Sequence, residues 1–177
     1  YPYTDKGGHL DSNGARWFGH QMAKVARRVW SGEGWQPLRP IEIIQSGRVL
    51  TVHFHVPQPP LVFATPYVIA AATDYADKGF RVTNAAGSVS LLIAAVDIVA
   101  PTVVRITCAM DIPADALLWY ADKTLHNGNG NLRDSDASVA PDIYEYVPER
   151  GMYSSANIPA LVGNPYPLHN WCVAFCL

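Results

Sequence analysis

The sequence lacks any apolar run long enough to cross a membrane. Its longest such stretch, around Val89 to Ala100, is broken by Asp97 and rich in β-branched residues, so it reads as a buried strand. A basic stripe is missing too. Thirteen Lys and Arg stand against fifteen Asp and Glu, a formal net charge of −2. That excludes the electrostatic footprint of a nucleic-acid-binding domain and gives no overall pull on acidic substrates. Cysteine is scarce: Cys108, Cys172 and Cys176 fit no zinc spacing. Cys172 and Cys176, four apart, would share one side of a strand, and are expected as small buried hydrophobes rather than disulfide partners. There is no initiator Met, and Tyr1-Pro2-Tyr3-Thr4-Asp5 has no signal-peptide character, so the sequence is expected to start inside a longer gene product. Charged residues make up only 16%, whereas 49% are hydrophobic, which excludes disorder and supplies a real core. A length of 177 residues suits one domain, or one domain with a piece of another.

What is present falls into two patterns. Residues 1 to about 31 read as a Gly-rich loop and a helix. Gly7 and Gly8 precede His9, and Ser12 or Asn13 is placed to cap the helix by accepting its orphan N–H groups. Phe18, Met22, Val25 and Val29 recur at helical spacing on one face. Lys24, Arg27 and Arg28 favour the C-terminal end of the dipole, and Ser31-Gly32-Glu33-Gly34 ends the element. Trp35-Gln36-Pro37-Leu38-Arg39-Pro40 reads as a linker stiffened by two prolines, with Trp35 available to anchor it.

From Ile41 the pattern turns to β. Ile41–Ile44 and Val49–Val56 flank Gln45-Ser46-Gly47-Arg48, a hairpin loop by composition. Leu50, Val52, Phe54 and Val56 are expected in the core, with Thr51, His53 and His55 on the other face. Further strands are expected in Val62–Ala71, Gly79–Thr83, Val89–Val96, Thr102–Met110, Leu117–Tyr120 and Trp171–Cys176. Many short strands parted by polar turns predict a mainly β fold, an antiparallel, jelly-roll-like β-sandwich over 41–177. The stretch from His126 to Ser138 is polar and without periodicity.

Four features carry chemistry. The first is Gly8-His9-Leu10-Asp11-Ser12-Asn13-Gly14. A neutral imidazole held at a loop before a capped helix is able to take a proton from a nucleophile near neutral pH, with a carboxylate to fix its tautomer. Asp5 and Asp11 are the nearby carboxylates, and a solvated loop histidine is the plain alternative. The second is His126 to Asp136, whose alternating oxygen donors fit a calcium loop, a carbohydrate contact or a structural connection, with Arg133 paired to Asp134 or Asp136. The third is His53 with His55, a two-residue spacing without a third metal ligand, and so an exposed sheet face. The fourth is an aromatic set (Trp119, Tyr120, Tyr144, Tyr146, Tyr153, Tyr166 and Trp171) that either fills a core or offers sugars a platform, Tyr144 and Tyr146 lining one strand face.

The block His9-Leu10-x-x-x-Gly14-x-x-x-x-Gly19, with the amphipathic helix after it, resembles the last conserved block of SGNH (GDSL-like) hydrolases. Gly34-Trp35-Gln36-Pro37-Leu38-Arg39-Pro40, Gly130-Asn131-Leu132-Arg133-Asp134-Ser135-Asp136 and Tyr166-Pro167-Leu168-His169-Asn170-Trp171-Cys172 resemble segments of sialate O-acetylesterase-like proteins, including phage and prophage forms. The resemblance extends over most of the chain. It implies that residues 1–34 are the terminal loop and helix of an α/β SGNH hydrolase domain, 35–40 a linker and 41–177 an accessory sandwich. It implies that His9 is the catalytic base. The family's supporting Asp lies three residues before the His, where Lys6 stands here. Asp5, one residue further back, either reaches His9 through a bulge at Gly7-Gly8 or plays no part. The nucleophilic Ser and the oxyanion donors of the family are not recognisable. Ser135 lacks the preceding Gly and the strand-to-helix setting of a nucleophile.

The implied activity is removal of O-acetyl groups from carbohydrate, with no cofactor and no metal. The implied partners are an acetylated glycan or polysaccharide and the remainder of the hydrolase domain, without nucleic acid or membrane and with a homo-oligomer possible. The implied setting is extracellular or virion-associated. A non-catalytic carbohydrate-binding module and a virion structural or attachment module are the rival readings.

Overall fold

Alternation along Val49–Val56 sets the centre of the larger sheet. In the computed structural model Leu50, Val52, Phe54 and Val56 are buried, and Thr51, His53 and His55 lie half-buried between them. The structure describes the backbone of residues 5–6, 9–67 and 73–177, with side chains from Leu10 onward within those ranges.

A short hairpin, β1 (Asp5–Lys6) and β2 (His9–Leu10), precedes helix α1 (Ser12–Trp30). β3 (Arg39–Ser46), β4 (Val49–His55), β5 (Val62–Phe63) and β6 (Phe80–Thr83) come after it. Next are β7 (Ser90–Leu91), β8 (Ile93–Ala100), β9 (Val103–Cys108) and β10 (Leu117–Tyr120). The last strands are β11 (Leu132–Arg133), β12 (Val139–Ile143), β13 (Pro165–Pro167) and β14 (Phe175–Cys176).

Two compact units divide the chain, and neither follows chain order. One comprises Tyr1–Trp35, Pro66–Ala72 and Ala137–His169. The other comprises Gln36–Thr65, Thr73–Asp136 and Asn170–Leu177.

The second unit is built on two antiparallel four-stranded sheets, in the orders β3-β4-β9-β8 and β14-β10-β6-β7. Leu50, Val52, Phe54, Val104 and Ile106 of the first sheet share one buried cluster with Phe80, Val82, Leu118 and Tyr120 of the second. This is the arrangement of a sandwich. The expected hairpin forms on the two-residue loop Gly47-Arg48, with Ser46 opposite Val49 and Gly47 at φ 55°. Pro40 sits on the edge strand β3 beside a bulge, two places where a sheet tolerates a missing N–H, and Leu38 just before it is fully buried. The fold is therefore mainly β and antiparallel, as the pattern predicts.

The first unit packs Trp17 of α1 with Ala140, Tyr144, Ile158, Leu161 and Tyr166. Several expectations are corrected by it. The N-cap is Asp11, whose Oδ1 accepts the Gly14 N–H at 2.7 Å, not Ser12 or Asn13. The helix buries Asn13, Gly14 and Trp17, while Phe18, Met22 and Val29 of the apolar stripe are exposed. Tyr144 does not line an exposed face: its ring is buried beside Tyr166 at 5.6 Å, because the chain folds back through β13 to cover it. In the second unit Tyr120 is likewise core, stacked on Phe175 at 5.6 Å. Cys176 is exposed rather than buried, since the last strand is only two residues long and Cys172 lies outside it; all three cysteines are free thiols.

A close backbone approach in the second unit explains two glycines. A Cβ on Gly79 (φ 87°) would lie 2.6 Å from the Gly130 Cα, and one on Gly130 would overlap the Tyr120 ring. The same ring accepts the Leu132 N–H on its hydroxyl at 2.8 Å. Gly130→Ala should therefore destabilise the protein by about 1–3 kcal/mol or more through overpacking, read as a lower urea midpoint at unchanged slope.

Candidate functional site

His9 lies in a two-residue strand just ahead of α1. Lys6 pairs with His9 and Asp5 with Leu10 in the β1-β2 hairpin, and Asp11 then caps α1. The side chains of His9 and Asp5 lie outside the described residues. Immediately downstream, Asn13 is fully buried and hydrogen-bonded through both its amide nitrogen and its amide oxygen. Its Nδ2 donates to the Glu145 carbonyl at 2.8 Å, and its Oδ1 accepts the Glu145 N–H at 3.2 Å and the Tyr166 hydroxyl at 2.5 Å. Burial pushes the Tyr166 phenol up to about 12, so it remains a donor across the physiological range.

Along the same helix the polar face is stapled to the chain from β12 onward. His20 Nε2 meets Asp142 Oδ2 at 2.5 Å, Arg16 reaches Glu145 at 3.4 Å, and Lys24 donates to the Leu168 carbonyl at 2.5 Å. Trp35 lies under the Lys24 and Arg28 cations at 5.9 and 5.5 Å. Helical spacing of Asn13, Arg16, His20 and Lys24 is the sequence signal for this face. Their partners, more than a hundred residues away, are not legible in it.

The second unit holds a charge cluster that sequence periodicity does not reveal. His126 is 2% exposed. Its Nδ1 faces Asp122 Oδ2 at 2.8 Å and its Nε2 faces Asp77 Oδ1 at 3.0 Å. Two carboxylates on two ring nitrogens require both nitrogens to donate, which is the imidazolium. Burial works against that charge, but the hydrogen bonds and attraction from Asp77 and Asp122 outweigh it, and the pKa of His126 is raised. Burial likewise pushes both carboxylates up, but their hydrogen bonds and the His126 charge win, leaving both lowered. Arg81 pairs with the other oxygen of Asp122 at 3.6 Å and lies over Trp119 at 5.9 Å. The Tyr75 ring stands edge-on to the imidazole, with centroids 4.8 Å apart. The i,i+4 spacing of Asp122 and His126 is visible in sequence; Asp77, 49 residues from His126, is not.

Beside this cluster opens a cavity of about 390 Å³ whose lining includes Asp77, Arg81, Ser90, Leu92 and Leu125. The cavity is open to solvent and its lining is mostly apolar, with a few polar groups.

The loop from His126 to Asp136 resolves as a structural connection. Asn131 Oδ1 accepts the Tyr75 N–H, and its Nδ2 donates to the Ala64 and Thr73 carbonyls. Asp134 is fully buried and accepts from the Gln58 N–H, the Asn170 N–H, the Asn170 side-chain amide and the Asp136 N–H. The side-chain oxygens of Asn131 and Asp134 are thus committed to protein donors. Arg133 donates to the Asp134 carbonyl at 2.6 Å and not to its carboxylate, because Asn170 holds that group. Among the described residues no group of three or more His, Cys, Asp and Glu is disposed to hold a metal ion. In the His126 cluster both ring nitrogens are donors and offer no lone pair.

This cluster makes stability depend on pH. A histidine whose pKa is raised on folding adds stability that is complete below its unfolded value of 6.5 and lost as pH rises through the folded value. The lowered carboxylates add stability above their unfolded value of 3.8 that is lost as pH falls through their folded values. His126→Gln should therefore cost about 1.5–3 kcal/mol near pH 6, the size of a lost charged hydrogen bond, since Asp122 keeps Arg81 at 3.6 Å as its remaining charge partner. The gap in unfolding free energy between variant and parent should narrow above the folded pKa of His126. A gap that stays constant from about pH 5 to 9 would show a ring that is never charged.

No protein-family model matches the chain, and no curated protein matches it. Among solved structures the fold is shared with a carbohydrate acetylesterase from Xanthomonas citri, at 16% sequence identity and a TM-score of 0.57. The match covers 99% of this chain and 30% of the esterase, so this chain corresponds in fold to less than a third of that enzyme.

Proposed function

We propose that this chain is the C-terminal part of a carbohydrate O-acetylesterase of the SGNH type, in which His9 is the general base and the rest of the polypeptide provides the serine and the oxyanion donors. The observation that carries this reading is the shared fold with a carbohydrate acetylesterase over nearly the whole of this chain. The exposed stripe of α1 supports it independently. Met22 and Val29 are 56% and 54% exposed, on the helix that directly follows the His9 strand. An amphipathic helix that leaves its apolar stripe in water calls for a further hydrophobic surface, which the remainder of a hydrolase domain supplies.

In this reading residues 1–34 belong to the hydrolase and 35–40 connect, while within 41–177 the strands that share the sandwich core form the jelly-roll-like accessory domain. The segment Ala137–His169, in one compact unit with α1, braces the catalytic end. The serine hydroxyl attacks the acetyl carbonyl while His9 takes its proton. His9 then returns that proton to the departing sugar oxygen, leaving an acetyl-serine. A water molecule, deprotonated by His9, releases acetate and regenerates the serine. Asp5 is assigned to orient the ring. The substrate is an acetylated glycan or polysaccharide, and the setting extracellular or virion-associated. A binding or attachment module without catalysis is the rival.

In the full-length protein, His9→Ala should lower p-nitrophenyl acetate hydrolysis by about 10³-fold or more while leaving the melting temperature nearly unchanged. Asp5→Asn should cost less. Turnover that survives His9→Ala would overturn the catalytic assignment and leave the rival.

A further inference from the structure

We propose that the cavity beside Asp77 is a binding site for a neutral sugar unit. The choice of a sugar rests on the esterase reading; the site itself does not.

Hydrogen-bonding capacity defines the site. Asp77 Oδ1 accepts the Gly79 N–H at 3.0 Å and the His126 Nε2–H at 3.0 Å. Among the described residues no donor of another residue meets Oδ2, and the side chain, whose own backbone N–H also acts on the carboxylate, lines the cavity and is 33% exposed. The carboxylate is held from behind by two donors, so its remaining acceptor needs no ordering when a ligand arrives. Ser90 has the complementary capacity. Its Oγ accepts from Arg81 Nε at 2.8 Å, which leaves its own proton to donate into the same cavity. Arg81, which also lines the cavity, donates to the Gly87 carbonyl at 3.1 Å and pairs with Asp122.

An acceptor and a donor lining one cavity suit a ligand with several hydroxyls, each of which both gives and takes a hydrogen bond. The opposite requirement, an apolar surface for the C–H face of a ring, is met by Leu91, Leu92 and Leu125. Leu92 and Leu125 are 71% and 55% exposed, large apolar side chains left at the mouth.

Charge then selects among sugars. Asp77 and Asp122 are balanced by His126 and Arg81, so the cluster presents no net charge to the cavity. A carboxylated sugar would bring its anion against Asp77, while the charges of Arg81 and His126 are already balanced by Asp122 and Asp77. A neutral pyranose carries no such penalty.

The test uses the chain of 177 residues and tracks amide shifts of Gly79, Ser90 and Leu92 during titration. Glucose, galactose, xylose and N-acetylglucosamine are the neutral probes; glucuronate and sialic acid are the charged ones. At least one neutral probe should shift these amides with a Kd on the order of 1 mM, and the acids should bind at least tenfold more weakly. Asp77→Asn should weaken binding about tenfold or more, the size of a lost charge-assisted hydrogen bond. Because that change also touches His126, Ser90→Ala and the rim variant Leu125→Glu serve as controls of fold, and both should weaken binding with the melting temperature retained. The proposal is overturned if no neutral probe moves these amides, if the acids bind as well, or if binding survives Ser90→Ala and Leu125→Glu unchanged. Capture of a second copy of the chain at this face, abolished by Leu125→Glu, would also overturn it. Lost turnover in His9→Ala with sugar binding intact supports both readings, whereas turnover retained in His9→Ala with sugar binding intact sinks the esterase alone.

Discussion

One imidazolium shared by two carboxylates organises the cavity-bearing face of the sandwich. His126 ties Asp122, at the start of its own loop, to Asp77, which belongs to the connection ahead of β6. Neither loop has a ladder of its own to hold it. Asp122 also accepts the N–H groups of Thr124 and Leu125, and Asp77 that of Gly79. Each carboxylate thus closes a turn and neutralises the buried ring. The price of burying these charges is offset only because every one has a partner within hydrogen-bonding distance, which makes the arrangement stable as a set and fragile when one member is removed. The cavity inherits its rigidity from that set.

The same device recurs wherever the chain runs without regular structure. Asp134 gathers Gln58, Asp136 and Asn170, and Asn131 gathers Tyr75, Ala64 and Thr73. Asn13 does it in the other unit for Glu145 and Tyr166. Buried backbone N–H and carbonyl groups demand partners, and long connections between short strands leave many of them unmet. Short, polar, bidentate side chains answer that demand. This accounts for Asn and Asp standing at 0–1% exposure among the most buried residues of the protein.

The helix shows the reverse. Its polar face is the one that packs, through Asn13, Arg16, His20 and Lys24, while Phe18, Met22 and Val29 look outward. A polar contact surface and an exposed apolar stripe on one helix mean that two different surfaces claim it. The chain supplies the first, and the esterase reading assigns the second to the rest of the hydrolase.

Local sequence determined a good deal by itself. Period-two alternation placed Leu50, Val52 and Phe54 in the core and Gly47 marked the hairpin, because each depends on backbone geometry within a few residues, whereas Arg39 and Pro40, read as linker, belong to β3. The helix from Ser12 to Trp30 was legible for the same reason. Tertiary structure alone decided the rest. Tyr144 and Tyr120 became core rather than platform, Asp134 a hub rather than an ion ligand, and His126 a charged bridge to a residue 49 positions away. Those outcomes turn on which polar group meets which across long loops, and no periodicity encodes that meeting. A side chain's hydrogen-bonding capacity can be read from its type, but the partner that uses it exists only once the chain has closed.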